Sequence, residues 1–158
     1  MYPAGEPAAI GFASPLQAGS RGGSCLPVTA VFPGLLRFQD FALLLLRLMV
    51  AAVFGASGYL HLKDPVGRAK SIELSPKATV ALGLAEVLAS VSLVLGVFPQ
   101  IGALVLIFLG LGAIEKKVFK WKTGFWGEKG YGWHYDLMLL AMNLVVLCTA
   151  GGKLVLRP

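Results

Sequence analysis

Residues 41–60, FALLLLRLMVAAVFGASGYL, form a run of apolar and small residues with a single charged side chain, Arg47. At about 1.5 Å of helical rise per residue such a run crosses the roughly 30 Å hydrocarbon core of a bilayer. Arg47 then lies about 9 Å inside the nearer face. Burying it costs about 2.5 kcal/mol on insertion scales and more for an isolated helix, so the remainder of the chain has to offer it a partner.

Three further runs have the same character. They are residues 78–98 (ATVALGLAEVLASVSLVLGVF), 101–114 (IGALVLIFLGLGAI) and 137–150 (LMLLAMNLVVLCTA). The last two reach bilayer length if span three takes in residues 115–119 and span four starts near Tyr135 and ends near Leu154. Pro99 and Gln100 leave only a tight turn between spans two and three, which makes them antiparallel neighbours. The expected fold is all-α, a four-helix transmembrane bundle over residues 41–158. Residues 1–40 are rich in Pro, Gly, Ala and Ser without periodicity and are expected to be disordered. Glu6 and the lack of a basic-then-apolar pattern argue against a cleaved secretory peptide, leaving a transit peptide or an early start codon as readings.

With 56% hydrophobic and 14% charged residues the chain is too apolar for an ordinary soluble domain. Cys25 and Cys148 form no CxxC pair and no Cys/His cluster exists at ligand spacing, which argues against thiol redox, iron–sulfur or zinc chemistry; no metal is expected. The net charge of +6 comes mostly from basic residues flanking the spans, so topology accounts for it and nucleic acid is not an expected partner.

Glu86 is the one acid well inside span two and is the expected partner of Arg47. Two small-residue stripes, Ala81, Ala85 and Ala89 on span two and Ala51 and Gly55 on span one, would let the helices approach closely. A guanidinium could then bond a carboxylate through two nitrogens. Asn143 of span four falls near the depth of Glu86 and could complete the polar core. One reading is a buried ion pair fixing register; the other is a site for the polar head of a lipid-soluble ligand, or for protons.

The loop EKKVFKWKTGFWGEKGYGWHYD, residues 115–136, alternates Lys with aromatics. It suits an interfacial belt reaching lipid headgroups, or a lid over a ligand in which Trp126 and His134 serve. Its aromatic residues are expected to fold back over the bundle mouth, being too many to leave solvated. His61 and His134 both lie at one membrane face outside the spans, so a haem clamped between them is not expected. Basic residues concentrate in the loops between spans one and two and between spans three and four, which places those loops in the cytoplasm and both termini outside.

The runs LLRLMVAAVFGASGYLHLKDP, GLAEVLASVSLVLGVFPQIGALVLIFLGLGAI and TGFWGEKGYGWHYDLML, with the trailing GGKLVL, resemble the DoxX family of small bacterial membrane proteins over residues 41–158. Arg47, Ser57, Gly58, Asp64, Pro65, Glu86, Gly124, Phe125, Gly151 and Gly152 fill that family's marked places. His61 stands where the family commonly has lysine, and His134 and Asp136 stand where it often has Glu and Asn. The resemblance implies a four-helix inner-membrane protein linked to quinone-dependent redox chemistry.

Quinone is therefore the expected cofactor, although no motif announces one, with Arg47, Glu86, Asn143, Trp126 and His134 as its candidate binding residues; no catalytic residue is assigned. Membrane lipid, a soluble redox protein and further copies of the chain are the partners considered. The leading reading is a membrane subunit of a quinone-linked oxidoreductase. A non-catalytic anchor or assembly factor is the alternative. A small-molecule transporter ranks last, because no internal repeat or broken helix pair is present.

Overall fold

A computed structural model describes residues 31–127 and 132–155. Contacts divide the chain into two units, residues 1–33 and 34–158, and the second carries the long helices. The expected disorder of the N-terminal segment lies outside the described residues as far as residue 30. From Pro33 the expectation is corrected: a 3-10 turn, Pro33–Phe38, runs into helix α1, Gln39–Lys63.

Four long helices make an all-α transmembrane bundle, with no strand among the described residues: α1, α3 (Pro76–Leu95), α4 (Pro99–Glu115) and α5 (His134–Thr149). The stretches 33–63 and 76–95, each holding an 18-residue window of mean hydropathy 2.0, are long and apolar enough to cross a membrane. Large apolar side chains point outward along every long helix, among them Met49, Leu88, Phe108 and Met138. A helix apolar all round needs lipid or protein on its outer face.

Helix boundaries obey local chemistry. Ser75 caps α3 through a 3.2 Å bond from the Ala78 amide, with Pro76 in the first turn, where its missing N–H costs nothing. Gly96, at φ +70°, ends the helix in the left-handed region. The tight turn is thus residues 96–98, and Pro99 and Gln100, expected within it, open α4 instead. Span three does borrow beyond Ile114: after Glu115 the chain continues as a π-helical segment, Lys116–Lys120. The connection between spans one and two contains a short helix not foreseen from sequence, α2 (Pro65–Ser71), capped by Asp64.

The core is a cluster of Val50, Ala51, Phe54, Ala89, Leu93, Ala103, Leu106, Leu139 and Val146. Helices α1 and α3 form the most extensive pairing, α4 and α5 the next. The α1–α3 seam does not use the Ala81–Ala85–Ala89 stripe, of which only Ala89 is buried. The buried line is Thr79, Gly83, Glu86, Ser90 and Leu93. At its centre Gly58 meets Gly83: a Cβ added at Gly58 would lie 2.8 Å from the Gly83 carbonyl oxygen and 2.9 Å from the Glu86 Cβ.

Candidate functional site

That glycine contact sets which polar groups meet. Antiparallel packing at this contact sets Glu86 opposite Gly58 and His61 opposite Gly83, where an added Cβ would lie 2.9 Å from the His61 Cβ, so the two polar residues sit about one turn apart across the seam. Side chains on a helix lean toward its N-terminus, so the two lean toward each other. His61 Nδ1 and Glu86 Oε2 are 2.8 Å apart, and the Ser57 hydroxyl donates to Glu86 Oε1 at 3.3 Å. Histidine and glutamate are both buried. Each buried polar group thus has a hydrogen-bond partner, and this limits its burial cost.

Arg47 is elsewhere, and the expected Arg47–Glu86 pair does not form. Its Nε donates to the Leu93 carbonyl at 2.9 Å. Its Nη1 donates to the carbonyls of Gly151 at 3.0 Å and Leu154 at 2.8 Å. The same lean that joins His61 to Glu86 carries Arg47 toward the start of α1, away from Glu86. There it meets the last turn of α3 and the chain just after α5, where helix carbonyls have no amide partners and the helix dipoles are negative. Gly96 and Gly151, both at positive φ, make the space: a Cβ at Gly151 would lie 2.8 Å from Arg47 Cδ. The register explains the miss. Setting residue 41 level with residue 98 slides the helices by roughly five residues, about 8 Å, from their real alignment.

A cavity of about 460 Å³ opens beside the His61–Glu86 pair. Its floor is Ser57, His61 and Glu86, and its walls are apolar, with Val53, Phe54, Leu82, Leu109 and Leu139 among them. Gly110 and Gly112 add width, since a Cβ at either would find nothing within 4 Å. Toward the loop end the lining becomes polar. Lys117 pairs with Asp136 at 2.5 Å, and Lys116 Nζ donates to the Ile72 carbonyl at 2.6 Å. Trp121 Nε1 donates to Glu73 Oε1 at 3.2 Å. Glu73 sits at φ +53°, a conformation strained for a residue with a Cβ.

Of the other sequence-based candidates, none lines this cavity. Asn143 is fully buried in the inner stripe of α5 between Leu139 and Val146. Its Nδ2 donates to the Leu139 carbonyl at 2.9 Å, while its Oδ1 has no protein partner. His134 donates from Nδ1 to the Phe125 carbonyl at 2.8 Å, and its ring lies 5.1 Å from that of Trp126. These two belong to a separate aromatic cluster with Phe125 and Trp133. The aromatic loop folds back only in part: Trp121 reaches the cavity, but Phe119 is 75% and Trp126 73% exposed, and Tyr131 lies outside the described residues.

The sequence marked Ser57, His61 and Asp136 only by family resemblance, and neither they nor the mouth residues Trp121 and Lys117 were among the expected binding residues. A signal for His61 exists. Gly58-x-x-His61 and Gly83-x-x-Glu86 have equal spacing, which is what an antiparallel glycine crossing needs to bring two polar side chains together. Ending span one at Leu60 leaves His61 outside it, whereas α1 runs to Lys63.

A family model described as DoxX matches residues 42–121, about half of the chain. The match takes in Arg47, Ser57, His61 and Glu86 and stops before α5. No curated protein and no solved structure matches the chain.

Proposed function

The chain belongs to the DoxX family of membrane proteins, and from that premise we propose that it is a membrane subunit of a quinone-linked oxidoreductase system, holding the quinone head against Glu86, His61 and Ser57. One observation carries the reading: a hydrogen-bonded histidine–glutamate pair and a hydroxyl form the floor of a cavity whose walls are apolar up to its polar mouth. Such a cavity suits a ligand with a polar head and a greasy body. A bound quinone takes up two electrons and two protons as it becomes quinol. With His61 Nδ1 held by Glu86, Nε2 is the ring nitrogen left to hydrogen-bond a ligand oxygen, and the pair can supply or take a proton there. Ser57 can donate to a second acceptor if it turns from Glu86. Electrons come from a soluble partner, because the chain carries no redox motif of its own.

In this reading the protein is a multi-pass protein of the inner membrane. The cavity mouth faces the cytoplasm with the basic residues Lys63, Lys70, Lys77, Lys120 and Lys122, by the charge rule. Arg47 and Asn143 serve the bundle, not the ligand. Trp126 and His134 belong to the interfacial belt among lipid headgroups.

Purification in a mild detergent, lipid extraction and mass spectrometry test the proposal. Quinone near one per chain is expected, falling at least fivefold in Glu86→Gln and in Gly110→Leu, which fills the cavity from an otherwise open position. Phospholipid alone, with no quinone in the parent protein, overturns it in favour of an anchor or assembly factor.

A further inference from the structure

The cavity has two sides on which a ligand could arrive, and they differ in chemistry. At the loop end, three polar contacts tie the chain together across the mouth: Lys116 to the Ile72 carbonyl, Trp121 to Glu73, and Lys117 to Asp136. Ile72 and Leu74, on the segment so tied, line the cavity. The second side is the seam between α3 and α4. These helices touch tightly near their connecting turn, where a Cβ added at Gly102 would lie 2.9 Å from Ser92 Oγ and 3.1 Å from the Ala89 carbonyl oxygen. Nearly three turns further along α4, Gly112 has nothing within 4 Å, while buried Gly110, about 100° round from Leu109 on the core side, leaves its space to the cavity. The seam is closed at one end and splayed at the other.

Helical geometry locates the opening. Gly102 and Leu109 lie on the line of α4 that faces α3 and the core. Phe108 is about 100° round from Leu109 and 65% exposed on the outer surface, yet it lines the cavity, as does Gly112 one turn on. A cavity that runs from buried Glu86 to a side chain as exposed as Phe108 reaches the lipid-facing surface of the bundle. We infer that the Glu86–His61–Ser57 cavity is filled sideways from the bilayer, through the α3–α4 seam beside Phe108 and Gly112, and so takes a ligand whose polar head carries a long hydrocarbon tail that stays in the seam.

This rests on the reading of the cavity as a ligand site but is tested without quinone. Ser57→Cys, in a background with Cys25→Ser and Cys148→Ser, is reconstituted in liposomes and treated with a long-chain alkyl maleimide that partitions into lipid, or with a charged, membrane-impermeant one. The alkyl reagent is expected to react at least tenfold faster. Gly112→Trp should cut its rate at least tenfold, and Phe108→Ala, a milder change if the tryptophan variant fails to fold, should raise it severalfold. Leu111→Trp, on the lipid face outside the cavity, should leave it within twofold. Glu73→Gln with Trp121→Phe should speed only the charged reagent. The inference is overturned if the charged reagent reacts as fast as the alkyl one in the latched protein, or if neither Gly112→Trp nor Phe108→Ala changes the alkyl rate. Absence of quinone from the purified protein with lipid-side labelling intact would remove the quinone reading and leave the sideways route standing for another tailed ligand.

Discussion

Replacing Arg47 and Glu86 by leucine, singly and together, separates two pictures of how this bundle tolerates charge. If they were partners, the double variant would regain much of what each single one loses. The carbonyl bonds of Arg47 and the His61–Glu86 contact imply otherwise. Glu86 is level with Gly58, which is about 16 Å along α1 from Arg47. Sites so far apart, with no shared partner, add to within about 0.5 kcal/mol. Arg47→Leu loses three charge-assisted bonds, each worth about 1.5 to 3 kcal/mol. Relief of the guanidinium's desolvation offsets part of that, leaving an expected loss of about 3 to 5 kcal/mol. Glu86→Leu strands a buried imidazole and should cost about 1 to 3 kcal/mol. The double variant should show the sum. Glu86→Leu with His61→Leu should instead fall short of its sum by about 1 to 3 kcal/mol. Circular dichroism during titration of detergent micelles with dodecyl sulfate measures all five variants. A coupling above about 1.5 kcal/mol between Arg47 and Glu86 would refute the glycine-set register.

Gly58→Ala puts a methyl 2.8 Å from the Gly83 carbonyl oxygen and should cost about 1 to 3 kcal/mol by overpacking. Gly110→Ala, with nothing within 4 Å, should be neutral or stabilise by up to about 1 kcal/mol; the same micelle titration reads both, and equal effects would contradict the seam geometry. Gly151→Ala combines a φ of +76° with a clash 2.8 Å from Arg47 Cδ, so a loss of at least about 1 to 2 kcal/mol is expected, and a drop in melting temperature checks it. In sealed right-side-out vesicles an impermeant amine reagent should modify Lys153 and spare Lys120, as mass spectrometry of tryptic peptides would reveal; the reverse pattern inverts the topology.

Bilayer length made α1 and α3 legible, because a run of about 20 apolar residues is what the hydrocarbon thickness demands whatever the packing, and α4 and α5 were legible as shorter apolar runs bounded by Pro99 and by the aromatic loop. Glu86 was legible for a similar reason, since an acid in lipid has to be explained. The partner of each charge was not, because pairing depends on helix register, and register here is set by one glycine crossing rather than by where the apolar runs begin. The carbonyls that hold Arg47 could not be read from side-chain identity at all. They are backbone groups freed where α3 and α5 stop, and their position depends on Gly96, Gly151 and the three-dimensional meeting of two helix ends. The short helix α2 was hidden for a different reason: at seven residues it leaves too few turns for a periodic signal and is marked only by Asp64 and Pro65 at its start.

The two charged positions divide the bundle into ends with different mechanical character. At the Arg47 end, one guanidinium binds the last turn of α3 to the segment after α5, the Lys153 amide donates to Asp40 of α1 at 3.0 Å, and the 96–98 turn holds α3 against α4. At the other end α1 and α3 remain joined through Gly58 and Gly83, but α4 draws away from α3, and residues 116–121 reach back through side-chain contacts to residues 72 and 73 and to Asp136. Of these contacts the Trp121–Glu73 bond is exposed and the two lysine contacts are part-buried, and each hangs on a flexible side chain, whereas the Arg47 bonds to Leu93 and Gly151 are buried. Motion of the bundle should therefore hinge at the Arg47 end and widen the cavity end, so hydrogen exchange is expected to be slower around Leu93 than around Gly112. Equal protection at the two positions would mean that the guanidinium carries no such mechanical role.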